Sequence, residues 1–291
     1  MLGLDPDPAG LWPSGGKDLE PGLTPAHSAA AAVQAHCCAL IDATAHACVA
    51  VKPQLARFEL LGAPGREALG EVAAHAREAG LLVIADGKRG DIDVTARAYA
   101  GSLFGGIDTP FGHLDGLHVD LATVNPLMGR DAIEPFVTAA RADGAGVLVL
   151  VRTSNPGAAD IEDLTLADGA TVWERVAALV AELGADGIGA SGLSDVGAVV
   201  GATEPRHLAR ARELMGSATF LLPGIGAQGG RVEDLAPAFA IGRAGGLVTA
   251  SRSIAAAHHV SGGDPARAAR AEAERLREAA WALSGQALAV S

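Results

Sequence analysis

Two carboxylates and an ammonium fall within six positions in Asp86-Gly87-Lys88-Arg89-Gly90-Asp91-Ile92, directly after the apolar run Leu81-Leu82-Val83-Ile84-Ala85. A lysine between two aspartates at a strand end is a way of placing fixed charge at the edge of a site. In an extended strand residues two apart point the same way, so Asp86 and Lys88 are expected on one side, with Gly90 turning the chain before Asp91. A solvated turn would show the same residue types, so the rest of the chain has to decide.

Short runs rich in valine, isoleucine and leucine recur, each ending in a polar or glycine-containing turn and each followed by a segment of helical period. The runs are 1–4, 48–51, 81–85, 117–124, 146–151, 196–200, 219–222 and 246–250. Helices are expected at about 24–47, 64–80, 92–104, 130–143, 168–184, 204–216, 231–240 and 264–285. Thr24-Pro25, Ala63-Pro64 and Asp264-Pro265 mark helix starts, and Gly80 and Gly184 mark stops. Eight strand-plus-helix units predict one (β/α)8 barrel, an α/β TIM barrel spanning residues 1–291 as a single catalytic domain. A doubly wound sheet would carry a glycine fingerprint after its first strand, and Gly3-Leu4-Asp5-Pro6-Asp7-Pro8 is not one.

A barrel builds its active site at the C-terminal ends of its strands. There the chain places Asp5 after the first run, Lys52 after the second, Asp86 and Lys88 after the third, Thr153-Ser154-Asn155 after the fifth, and Ser251-Arg252 after the eighth. The seventh run is followed by Pro223-Gly224-Ile225-Gly226-Ala227-Gln228-Gly229-Gly230, a glycine-rich loop opening a helix. Backbone N–H groups of such a loop, together with the Arg252 guanidinium, make a phosphate site.

The bulk properties narrow the class. With 34 acidic against 22 basic residues, a net charge of −12 and no basic block, nucleic acid is not an expected partner. No apolar run reaches membrane length and no leader precedes the first run, which points to a soluble cytoplasmic protein. Cys37, Cys38 and Cys48 are an odd set in one short stretch and read as reduced thiols. His36 and His46 lie among them without zinc spacing, in a stretch that reads as an alanine-rich helix.

Taken together, these residues resemble orotidine 5′-phosphate decarboxylase, in the longer-chain bacterial (type 2) branch. The signature Asp-x-Lys-x-x-Asp-Ile-x-x-Thr is met by Asp86, Lys88, Asp91, Ile92 and Thr95. Gly3-Leu4-Asp5-Pro6, Val51-Lys52-Pro53-Gln54 with Phe58-Glu59, Thr123-Val124-Asn125-Pro126, Thr153-Ser154-Asn155-Pro156, Val199-Val200-Gly201-Ala202-Thr203 and the Pro223–Gly230 loop extend the likeness along nearly the whole chain. The resemblance implies loss of carbon dioxide from orotidine 5′-phosphate to give uridine 5′-phosphate, the last step of pyrimidine nucleotide synthesis, with no metal or organic cofactor. Lys88 would be the general acid, in an alternating network with Lys52, Asp86 and Asp91. Asp5 and Lys52 would bind ribose hydroxyls, Ser154 would contact the pyrimidine, Gln228 and Arg252 would grip the phosphate, and Asn155, Pro223, Gly224 and Gly229 would be further substrate-binding residues. In the family the second aspartate and the nearby threonine come from the partner subunit, so Asp91 and Thr95 imply a homodimer.

Two alternatives remain at this point. Related sugar-phosphate decarboxylases share the Asp-x-Lys-x-x-Asp strand end but use magnesium, and would be expected to carry a further carboxylate where this chain has Lys52. A phosphate-sensing barrel would keep Gln228 and Arg252 but has no use for the charge network. One departure stands out: Met1-Leu2-Gly3 begins inside the first strand, so either the start is assigned too late, the favoured reading, or the barrel closes with a stunted first strand; truncation would leave Asp5 poorly anchored.

Overall fold

A computed structural model describes residues 1–12, 23–202, 205–225 and 230–287. In chain order, β1 (Leu2–Leu4) is followed by α1 (Pro25–Thr44), β2 (Ala50–Pro53), α2 (Leu55–Glu59), α3 (Ala63–Glu78) and β3 (Leu82–Arg89). Next come α4 (Asp93–Leu103), a hairpin of β4 (Ile107–Thr109) and β5 (Gly112–Leu114), β6 (Leu121–Val124), α5 (Glu134–Ala142) and β7 (Gly146–Arg152). The chain continues through α6 (Val172–Gly184), β8 (Ser194–Val200), α7 (Pro205–Leu214), β9 (Ala218–Leu222) and β10 (Gly246–Val248), and ends in α8 (Arg252–Ala255), α9 (His258–Ser261) and α10 (Pro265–Ala287). Eight strands hydrogen-bond in the order β1-β2-β3-β6-β7-β8-β9-β10. Neighbours within this order pair in parallel, which is the topology expected of the (β/α)8 fold.

The chain falls into two compact units, Met1–Gly87 with Ala250–Arg277, and Lys88–Thr249 with Glu278–Ser291. In the first, β1 and β2 are buried on both faces, which is why they read as continuous apolar runs. β1 is short but held on both edges. Gly3 N–H donates to Ala250 O (2.8 Å), Gln54 N–H donates to Leu4 O (2.9 Å), and Leu2 pairs with both Val51 and Ala250. Asp5 therefore follows a strand anchored on each side, contrary to the expectation of poor anchoring. α1 starts where Thr24 accepts the His27 N–H, and packs Val33, Cys37 and Ile41 inward and against α3. Its His36 faces the core, where Nδ1 accepts the Trp12 N–H (3.2 Å), and burial lowers its pKa to about 4. Gly80, at φ 78, ends α3 in the left-handed conformation that a side chain would strain.

In the second unit, β7 and β8 carry the longest buried runs. α6 begins at Val172, later than the expected 168, because Thr171 and Glu174 close a capping box over its first turn. Gly184 is not the left-handed stop expected from its type. It is there for closeness, since a Cβ at 184 would lie 2.4 Å from Ser194 Oγ. The segment expected as a helix at 231–240 is a 3₁₀ turn over Val232–Phe239, in which Pro237 denies the N–H that an α-helix needs. Among the described residues no helix is long and apolar enough to cross a membrane.

One polar staple holds this unit without any carboxylate. The buried Arg212 of α7 donates to Met215 O (3.0 Å), Ala218 O (2.7 Å), Ala238 O (2.8 Å) and Gly245 O (3.0 Å), tying α7 to β9, to the Val232–Phe239 turn and to a second 3₁₀ turn at Arg243–Gly245. Its guanidinium also lies 3.8 Å from the Phe220 ring centroid. Burial lowers its pKa to about 10, so it stays charged at neutral pH. Arg212→Met strands four buried carbonyls and is expected to lower the unfolding free energy by about 3 kcal/mol in a denaturant titration. A loss below about 1 kcal/mol would mean that those carbonyls find other partners.

Candidate active site

The ends of β1, β2 and β3 bring a charged cluster together in the first unit. Lys52 and Asp86 are both buried, 6% and 5% exposed, with Lys52 Nζ 2.5 Å from Asp86 Oδ2. Gln54 Nε2 donates to the same oxygen at 3.3 Å, and Gln54 and Asp86 form the last bridge between β2 and β3. Dehydrating two opposite charges costs several kcal/mol per ion, so a pair this deep is a weak source of stability and a strong sign of a positioned group. Asp5 and Ser251 meet across Gly3, where a Cβ would lie 2.8 Å from Ser251 Cβ and 3.2 Å from Asp5 Oδ2. Arg252 follows as the exposed first residue of α8.

In the second unit, Lys88 takes φ 48, a left-handed backbone that is uncommon outside glycine. The strand alternation expected to put Asp86 and Lys88 on one side therefore does not carry through Lys88: Asp86 is buried and the Lys88 side chain is exposed. The bend is held by Thr123, a buried residue of β6 whose Oγ1 accepts the Lys88 N–H at 2.9 Å. Next to it, Asn125 N–H donates to Arg89 O (2.8 Å), and Gly90 lies so close to Asn125 O that a Cβ would stand 2.7 Å from it. Asp91 turns back to accept the Ile92 N–H (2.8 Å), and Thr95 lies exposed in the first turn of α4.

Ser154 and Asn155 sit on a second braced strand end, after β7. Arg152 grips Asp163 with two hydrogen bonds of 2.9 Å, which hold the Asp163 carboxyl below the usual carboxylate range, and donates to Thr153 O. Glu162 accepts from both Thr153 N–H and Thr153 Oγ1, each at 2.8 Å. On the β8 side, Gly201 leaves no room for a side chain, since its Cβ would fall 2.9 Å from Ser154 N, Cα and Cβ. After β9, Pro223 O accepts the Ala202 N–H (3.0 Å), and Gly224, at φ 104, receives the Gly230 N–H on its carbonyl (3.0 Å). Gln228 and Gly229, like Thr203, lie outside the described residues.

Three contributors were not singled out in the sequence. Gln54 and Thr123 stand inside matched motifs, and their position at the ends of β2 and β6 was the available signal. Glu162, ten residues beyond β7 in an irregular loop, left none.

Comparison with known proteins places these residues in a family. The family model described as "Orotidine 5'-phosphate decarboxylase / HUMPS family" matches residues 2–271. A curated orotidine 5′-phosphate decarboxylase of Rhodopirellula baltica is 47% identical over 234 residues, covering 79% of this chain and 75% of that protein. Among solved structures, Leishmania donovani OMP decarboxylase superposes with a TM-score of 0.72 at 32% identity, covering 98% of this chain and 93% of that one. The same organism's UMP synthase gives a TM-score of 0.71 at 36% identity over 88% of this chain, which spans about half (51%) of that protein's length.

The buried pair allows a stability test apart from catalysis. Asp86→Ala leaves the Lys52 ammonium dehydrated and is expected to lower the unfolding free energy by about 3–5 kcal/mol. Lys52→Met combined with Asp86→Leu should recover most of that loss, measured by denaturant titration. A double variant as unstable as the single one would assign the cost to packing instead of charge.

Proposed function

The chain belongs to the orotidine 5′-phosphate decarboxylase / HUMPS family, and from that premise we propose that it converts orotidine 5′-phosphate to uridine 5′-phosphate and carbon dioxide by direct, metal-free decarboxylation. The observation that carries this reading within the family is the end of β2. It holds Lys52, buried against Asp86, where a magnesium-dependent sugar-phosphate decarboxylase would be expected to bring another carboxylate. We assign proton donation to ring carbon 6 to Lys88, ribose binding to Asp5 and Lys52, pyrimidine contacts to Ser154 and Asn155, and phosphate binding to the Pro223–Gly230 loop with Arg252.

Removing the carboxyl group leaves a carbanion with no adjacent carbonyl to delocalise it. Only stabilisation that grows between substrate and transition state speeds the step. If the negative charge moves from about 5 Å to about 3 Å from the Lys88 ammonium at an effective dielectric near 20, the gain is about 2 kcal/mol. One lysine therefore covers a small part of the barrier. Phosphate and ribose contacts made far from the reacting carbon must provide the rest, by closing a dry and preorganised site around it.

A homodimer and a cytoplasmic location belong to the same proposal. Support for the dimer comes from α4 and the residue before it: Ile92, Val94 and Tyr99 are exposed apolar residues interspersed with Asp91 and Thr95, the two residues assigned to a partner's site. The three free cysteines suit a reducing compartment, with burial pushing the Cys37 thiol well up from its usual value.

Purified protein is expected to consume orotidine 5′-phosphate, followed by ultraviolet absorbance, at an undiminished rate in a chelator. Loss of activity in the chelator with recovery on adding magnesium would favour the sugar-phosphate chemistry instead. Lys88→Ala should abolish turnover with the fold intact; near-normal turnover would remove Lys88 from its role. Mixing inactive Lys88→Ala and Asp91→Ala subunits should restore about a quarter of wild-type activity, because half of randomly formed dimers are mixed and each has one intact site. No recovery in a verified mixed dimer would assign Asp91 to its own subunit's site.

A further inference from the structure

The strand end at Thr153-Ser154-Asn155 contains a hydrogen-bond conflict that has one resolution. A threonine hydroxyl carries one proton and two lone pairs. Thr153 Oγ1 lies 2.8 Å from Glu162 Oε1 and 2.7 Å from Asn155 Oδ1, and the proton can go to only one of them. A carboxylate is the stronger acceptor, so the proton belongs to Glu162. The contact with Asn155 is then a hydrogen bond only if the carboxamide is turned, its NH₂ donating to Thr153 Oγ1 and its oxygen taking the other position. Oxygen and nitrogen of an amide are assigned by their network, and here the network assigns them.

Glu162 is itself held on every side. Its second oxygen accepts the Thr153 N–H at 2.8 Å, and Arg152 Nη1 stands 3.5 Å away while the same guanidinium grips Asp163. Its backbone N–H donates to Ala158 O (2.8 Å), and its carbonyl accepts the Trp173 N–H at the start of α6 (2.9 Å). From the opposite side Gly201 closes against Ser154. The chain of direction runs Arg152 to Glu162 to Thr153 to Asn155.

We propose that Glu162 is a positioning residue for the pyrimidine end of the substrate, acting through the Thr153 hydroxyl to fix Ser154 and to present the Asn155 carboxamide with its oxygen as the acceptor. This rests on the assignment of Ser154 and Asn155 to the pyrimidine made above. An acceptor there suits a ring that carries an imide N–H, as a pyrimidine-2,4-dione does and a cytosine ring does not.

Glu162→Gln keeps shape and volume but reverses the relay, because the new NH₂ donates to Thr153 and drives its proton toward Asn155. The variant is expected to raise KM for orotidine 5′-phosphate and the inhibition constant of uridine 5′-phosphate about tenfold, the loss of one oriented hydrogen bond. Its preference for uridine over cytidine 5′-phosphate should shrink, and inhibition by ribose 5-phosphate, which lacks the ring, should stay unchanged. Thr153→Val should reproduce the effect and Thr153→Ser should not. Uridine 5′-phosphate inhibition within twofold of wild type in both Glu162→Gln and Thr153→Val, with thermal midpoints preserved, overturns the proposal. So does an equal weakening of ribose 5-phosphate, which marks general disorder of the site. A wild-type protein that fails to turn over orotidine 5′-phosphate would instead remove the functional assignment itself, which the first assay decides.

Discussion

The contact between Lys52 and Asp86 constrains everything around it. Two dehydrated charges at 2.5 Å require that the ends of β2 and β3 stay in one register, because slipping one strand by a single residue would put its charged side chain on the opposite face from its partner's. That register is set by the Ala50–Leu82 and Val51–Val83 pairs and finished by the Gln54–Asp86 bridge, with Gln54 giving the shared oxygen a second donor. The apolar residues below serve to make this polar contact invariant. Their burial provides the stability, and the ion pair consumes part of it.

A second constraint is the backbone of Lys88. A lysine at φ 48 is conformationally costly, by roughly 1–3 kcal/mol for such positions, and it persists because its N–H has a fixed partner in the buried Thr123. Extended backbone would give the Lys88 side chain the direction dictated by the pleat. The left-handed turn frees it from that direction, while Arg89 O and Gly90 remain locked to Asn125. Rigid strand below and departure from strand geometry at one residue is how a single side chain is aimed independently of its neighbours.

The sequence revealed what depends on repetition and concealed what depends on single contacts. Strands buried on both faces, such as β7 up to Val151, carry few polar residues, so each of the eight strands in the sheet left a visible run. Lys52 and Asp86 were legible because charges end several neighbouring runs at once, whereas a solvated turn would account for any one of them. The β4–β5 hairpin was not, since its strands are three residues each and solvent-exposed, with no alternation to detect. Gly90 advertised the turn in the signature, yet the left-handed residue is Lys88, which carries no compositional mark. Arg212 and Glu162 were silent for a related reason: their partners are backbone carbonyls in one case and a loop threonine in the other, and neither leaves a pattern. Pro237 did mark the 3₁₀ turn, and periodicity overrode it.

Were Asp86 to face a substrate carboxylate, its pairing with Lys52 would limit the effect. An unpaired aspartate would repel such a group, but Lys52 attracts it, and the two nearly cancel at a distance. For a carboxylate about 3 Å from Asp86 and about 5 Å from the Lys52 ammonium, at an effective dielectric near 20, repulsion of about 5.5 kcal/mol meets attraction of about 3.3, leaving about 2 kcal/mol of stress. That is the size of the gain proposed for the Lys88 ammonium. Neither electrostatic effect can dominate, and both have to be added to the binding of the remote parts of the substrate. Under the proposed function the charges would give direction to the reaction, and contacts at the far ends of the substrate would make their small differences count.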